Sequence, residues 1–193
     1  MAHNERCKNC KLRIFELIKA AFGDVDDQYN LNLPSRLDDY KGTNIHQDLA
    51  KIYKSLQDYR GFKDFVKTKK LPNVDYFVHA PKIIVEFDET QHFTKPRAIS
   101  LSQYPPYLTL GFDKDKWLKR CLDLSRRDND PPYRDEQRAW YDTLRDFAEF
   151  PTVRFLPEEV IWCDLSPAKT SDVEWMRNLI IGKMGGGTYE ARG

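Results

Sequence analysis

The chain has 193 residues, enough for one domain with a substantial core, and its 40% hydrophobic and 13% aromatic content excludes a disordered polymer. Thirty-one basic against thirty acidic residues leave a net charge of +1, which excludes a protein that coats nucleic acid by bulk charge but permits local basic surfaces. No apolar run approaches the roughly 20 residues of a membrane span. The opening MAHNERCKNC lacks the apolar stretch of a secretory signal, so an intracellular, cytoplasmic location is expected.

In chain order, Phe15, Ile18 and Phe22 repeat at helical spacing, with Ile14, Leu17 and Ala21 beside them. They predict a helix over about 9–22 ended by Gly23. Residues 24–44 read as irregular, with room for a short strand near Tyr29 to Leu33. Leu49, Ile52, Tyr53 and Leu56 predict a helix over 46–59, with a short helical piece through Phe65 and Val66. VDYFVHAPKIIVEFD then gives two runs rich in Val, Ile, Tyr and Phe around His79-Ala80-Pro81, a hairpin whose second strand, Ile83 to Phe87, is buried.

Residues 93–133 read as an irregular insertion with one helix over 113–124. Its Lys95, Arg97, Lys114, Lys116, Lys119, Arg120, Arg126 and Arg127, set among aromatics, suit contact with nucleic acid. A helix follows over 134–149, then a strand pair, or a strand and a short turn, in FPTVRFLPEEVIWCDL. Ser171 and Glu174 have capping-box spacing and predict a last helix through Trp175, Leu179 and Ile180. The glycines from Gly185 to Gly187 end it and open a loose tail over 185–193. The order implies a single α/β domain over 1–193, with a mixed β-sheet flanked by helices.

The chemistry concentrates in residues 72–93. Strand alternation puts Ile84, Glu86 and Asp88 on one face, and two carboxylates at the end of an apolar strand repel one another unless a cation compensates. Asp75, on the preceding strand, adds a third oxygen donor. Such a set suits Mg2+ or Mn2+, which prefer oxygen ligands. Cys7 and Cys10 have C-x-x-C spacing, but Cys121 and Cys163 are isolated, so ordinary thiols are expected and a structural Zn2+ is not. The rival reading for Glu86 and Asp88 is a strand leaving the core with its acids in solvent.

The stretch resembles the core of the PD-(D/E)XK nuclease superfamily, where an Asp on one strand is followed by Glu-x-Lys on the next. Asp75 and Glu86 match the two acids, and Asp88 stands where the lysine usually does. Glu86-x-Asp88 followed by Gln91 and His92 resembles the very-short-patch-repair-like endonuclease branch. In that resemblance Glu16 corresponds to an acidic residue of the first helix, and Arg138 to an inward arginine in DEQRAWYDTLRDF.

The resemblance implies a restriction-endonuclease-like core, an Mg2+- or Mn2+-dependent endonuclease activity, DNA as partner, and a homodimer wherever both strands are cut. It assigns Asp75, Glu86, Asp88 and Glu16 to metal, Gln91 to water or phosphate, and Arg138 to phosphate charge. The departures are the missing lysine at 88, a proline three residues ahead of Asp75 rather than beside it, and the unmatched insertion. They keep open a second expectation, a catalytically inactive protein of the same fold that binds nucleic acid or a protein partner. Arg134, Arg138 and Arg145 fall within about 40° on one helix face, which suits either phosphate contact or pairing with Asp142 and other acids, with Arg138 alone expected to be functional.

Overall fold

The computed structural model describes residues 8–159 and 162–185. Among them, six α-helices and four strands alternate as α1 (Lys8–Phe22), β1 (Val25–Tyr29), α2 (His46–Arg60), β2 (Val74–Val78), β3 (Ile83–Phe87), α3 (Lys95–Leu101), α4 (Lys114–Leu124), α5 (Arg134–Asp146), β4 (Thr152–Phe155) and α6 (Thr170–Met184). None of these helices is long and apolar enough to cross a membrane.

The strands form one sheet in the order β1-β2-β3-β4. β1–β2 and β2–β3 are antiparallel, while β3 and β4 run parallel and are joined through α3, α4 and α5. A parallel neighbour requires such a crossover, so the insertion and α5 together carry the chain across the sheet.

Strand alternation divides the apolar residues between two layers. Tyr76, Val78, Ile83, Val85, Phe87, Val153 and Phe155 face α1 and α6, packing on Ile14, Leu17, Ile18, Met176, Leu179 and Ile180. On the other face, Val74, Phe77 and Ile84 meet Ala148 and Phe150 just beyond α5. A larger cluster joins α2, α3, α4 and α5 through Leu49, Ile52, Leu56, Leu101, Trp117, Trp140 and Leu144. β3 is therefore covered on both sides, and every residue from Ile83 to Phe87 is buried.

Several expectations need correction. The early strand is β1, at 25–29 rather than 29–33; it is an edge strand with Asp26, Asp27 and Gln28 exposed, so no apolar alternation marks it. Residues 62–67 are not helical; Phe65 and Val66 enter the core from an extended connection. The insertion is more regular than expected, because it includes α3, capped by Thr94, whose side chain accepts from the Arg97 amide, with Pro96 in the first turn. α5 ends at Asp146, not Glu149. Ser171 does not cap α6: the cap position is Lys169, and the Asp172 carboxylate instead accepts from the Ser166 amide at 3.1 Å. Of the two readings for the segment after α5, the structure has the strand with a short turn, a 3-10 turn over residues 162–164. Cys7 and the tail from Gly186 onward lie outside the described residues.

The outer side of β4 is closed by Gly111, whose amide donates to the Thr152 carbonyl at 3.2 Å and whose carbonyl accepts from the Arg154 amide at 3.4 Å. A Cβ there would lie 2.5 Å from the Thr152 oxygen and 2.9 Å from the Val153 Cα, backbone atoms that cannot swing aside. Gly111→Ala is expected to cost about 1–3 kcal/mol in urea unfolding through displacement of this segment. An unchanged midpoint would show that the contact is dispensable.

Candidate active site

Asp75 and Glu86 lie on adjacent antiparallel strands, one step beyond the Tyr76–Val85 pair, which puts their side chains on the same face. Asp75 is fixed by both oxygens. Oδ2 accepts from the Phe87 amide at 3.0 Å, and Oδ1 accepts from Lys11 Nζ at 2.9 Å. Lys11 comes from the first turns of α1, where its carbonyl accepts from the Tyr76 hydroxyl at 2.7 Å. Burial opposes the Lys11 charge, but adjacent Asp75, with Glu89 and Glu86 beyond it, outweighs that and raises its pKa. The ammonium therefore stays charged at neutral pH and acts as a donor rather than a base.

Glu86 is 5% exposed, and burial pushes its pKa up to about 7; Arg145 pulls it down, while Asp75 raises it further. Arg145 Nε stands 3.1 Å from Glu86 Oε1, so the two charges attract. The N–H is not aimed at the oxygen, however, and both atoms are buried without a hydrogen-bond partner. An orphaned carboxylate oxygen costs free energy in a folded interior unless it has a further use. Glu89, also buried, belongs to the same electrostatic neighbourhood through Lys11, and Gln91 Nε2 approaches it at 3.4 Å.

Asp88 shares the face of Glu86 but not its partners. Its Oδ1 accepts from Arg154 Nη1 at 2.8 Å and its Oδ2 from Trp117 Nε1 at 2.7 Å, in a site 1% exposed. Arg154, paired with Glu86 across the β3–β4 ladder, also donates through Nε to Asp146 at 2.8 Å and lies 3.7 Å from Asp142. Arg97 and Tyr104 complete the Asp146 site at 2.6 and 2.8 Å. His92 Nδ1 sits 3.1 Å from Asp142. Burial opposes ionisation of Asp142, yet His92 and Arg154 hold its pKa well below the usual carboxylate range. The three-carboxylate centre expected from the sequence is thus divided: Asp75 and Glu86 stand with Lys11, and Asp88 is bound into a network under α5.

Glu16 is not brought to this cluster. It pairs with Arg13 at 3.1 Å, is 40% exposed, and lies about 140° around α1 from Lys11. Arg138 holds loops together: Nη1 donates to the Gln91 carbonyl and Nη2 to Asp128, both at 2.9 Å. The arginine of α5 that reaches the carboxylates is Arg145, two turns further along. Lys11, Glu89 and Arg154 escaped the sequence reading, and Arg145 was expected only as part of an arginine face, not at the carboxylates. Lys11 had a signal, because it falls four residues before Phe15 on the Phe15–Ile18–Phe22 stripe, where a lysine is out of place unless it meets an acid.

The donor set permits a divalent ion. Mg2+ often takes only one or two carboxylates and completes its shell with water and substrate oxygens. Asp75 and Glu86 supply hard oxygens, and Glu86 Oε1 lacks a hydrogen-bond partner. Among the described residues no group of three or more His, Cys, Asp or Glu side chains is arranged to hold a metal ion. Cys10 is disulfide-bonded, which corrects the expectation of a free thiol and removes it as a zinc ligand. It also bears on the expected location, since reducing compartments disfavour disulfides. Comparison with family models, with curated proteins and with solved structures returns no match to the chain.

Proposed function

We propose that the chain is a divalent-metal-dependent endonuclease of PD-(D/E)XK type that hydrolyses phosphodiester bonds in DNA. The observation that carries this reading is the convergence of Asp75, Glu86 and Lys11 where β2 and β3 meet α1. The element order is compatible with this reading: leaving aside α2, α3 and α4, the chain runs α-β-β-β-α-β with β4 parallel to β3, as the proposal expects of a nuclease core.

Asp75 and Glu86 would hold Mg2+ or Mn2+, which when bound supplies Lewis-acid polarisation of the phosphate and a more acidic water. The residues of the chain do the rest. Lys11, charged and with its side chain one-third exposed, donates to the negative charge that builds on the phosphate. Glu86, whose charge is costly to bury in the metal-free chain, would be held ionised by the cation it binds. Arg138 anchors the Gln91 loop to Asp128, and the Thr94–Arg126 bridge joins the two segments that carry exposed Lys95 and exposed Arg127. These two cations suit the backbone of a nucleic acid leaving the site.

The test is nicking of supercoiled plasmid in Mg2+ or Mn2+ by the native chain and by Asp75→Asn. Cleavage abolished by EDTA and reduced at least about 100-fold in the variant is expected. No cleavage of plasmid, single-stranded DNA or RNA would sink the reading. The full engagement of Asp88 favours one second reading, a non-catalytic protein of this fold that binds nucleic acid; retention of DNA without cleavage would identify it.

A further inference from the structure

Two cations face the Asp75–Glu86 pair, and they differ in freedom. Arg145 is buried and fixed, donating through Nη2 to the Pro72 and Asn73 carbonyls at 3.2 and 3.3 Å and through Nη1 to Asp142 at 3.3 Å. The Lys11 ammonium donates to Asp75 Oδ1, and its side chain is 34% exposed on a flexible four-carbon stem. Asp75 Oδ2 is committed to the Phe87 amide, so Oδ1 is the oxygen through which Asp75 would meet a metal ion; Lys11 holds that oxygen at 2.9 Å, with Gln28 Nε2 further off at 3.5 Å. The opposite donor, Glu86 Oε1, is buried and without a hydrogen bond.

We propose that the Lys11 ammonium is a resident counter-ion of the Asp75–Glu86 site, which a divalent cation must displace before it can bind. This rests on the reading of that pair as a divalent-ion site. Charge balance favours the exchange. Lys11 and Arg145 already offset the Asp75 and Glu86 carboxylates, so a doubly charged ion arriving while the ammonium stays in place meets two like charges. The displaced ammonium swings to the solvent side of α1, where the anionic phosphate arrives. Lys11 thereby sets metal affinity as well as donating to substrate: without DNA it opposes the ion, and with DNA it has a new partner.

The exchange predicts an effect opposite to that of an ordinary site residue. MnCl2 titrated by calorimetry at pH 8.5 into the full-length native chain, Lys11→Met and Lys11→Arg, without nucleic acid, should show Lys11→Met binding about tenfold tighter or more. Lys11→Arg, which keeps the charge, should bind no tighter than native. Lys11→Gln provides a second neutral variant should the methionine form prove unstable. The Lys11→Met protein should cleave plasmid more slowly despite its tighter ion. Equal or weaker Mn2+ affinity in both neutral variants overturns the counter-ion assignment while leaving the metal site standing. Absence of Mn2+ binding in native and neutral variants alike overturns both the assignment and the site reading beneath it.

Discussion

Arg154→Met is expected to destabilise the protein by about 3–5 kcal/mol, a large part of the 5–15 kcal/mol that holds a typical domain. Arg154 is fully buried on β4 and answers carboxylates from two elements: Asp88 after β3, and Asp142 and Asp146 on α5. Removing it leaves Trp117 as the donor on Asp88. Asp146 keeps Arg97 and Tyr104, and Asp142 keeps His92 and Arg145. The deficit therefore centres on Asp88, whose ionised form would be buried without a charged hydrogen-bond partner. Adding Asp88→Asn should recover part of the loss, because the amide leaves no charge to bury. Urea unfolding of the single and double variants decides the matter, and a loss below about 1 kcal/mol in Arg154→Met would show the network to be slack.

That network explains why half of the candidate site was legible in the sequence and half was not. The hairpin of β2 and β3 announces itself through β-branched and aromatic runs, and alternation places Glu86 and Asp88 on one face without knowledge of the fold. What alternation cannot supply is the partner. Arg154 reads locally as one polar residue between Val153 and Phe155, the pattern of a half-exposed strand. Only the parallel pairing with β3 and the cover of α5 make it a buried cation bound to Asp88.

The same holds for α5. Its sequence is dominated by charged and polar residues, and an exposed arginine face looks natural, yet Asp135, Glu136, Asp142, Arg145 and Asp146 are all buried because each meets an opposite charge. β1 was misplaced for a related reason: as an edge strand it owes its position to pairing with β2 rather than to its own VDDQY. Lys11 was the one residue whose position on an apolar stripe could have given the site away.

Glu86→Gln should separate stability from function at that site. Burial lifts the Glu86 pKa from an ordinary 4.5 to about 7, so the folded protein holds a proton there over a range in which the unfolded chain has lost it. The sign follows from linkage: the contribution is fully favourable below the unfolded pKa and fades as pH rises through 7, leaving a cost on the order of 3 kcal/mol at pH 8.5. Glutamine has nearly the same shape and no charge to bury. Arg145 keeps Asp142 and the Pro72 and Asn73 carbonyls as partners, so the exchange does not strand it. With EDTA present, thermal or urea unfolding should find Glu86→Gln more stable than native, with its advantage growing by about 2 kcal/mol between pH 5.5 and 8.5. Mn2+ should raise the melting temperature of the native chain and leave the variant unmoved, because the amide cannot replace the carboxylate as an anionic ligand. A variant that is less stable than native at pH 8.5 would mean that the Arg145 attraction outweighs burial. Glu86 would then be a structural anchor, and the site would lose the strained carboxylate on which its reading as a metal ligand depends.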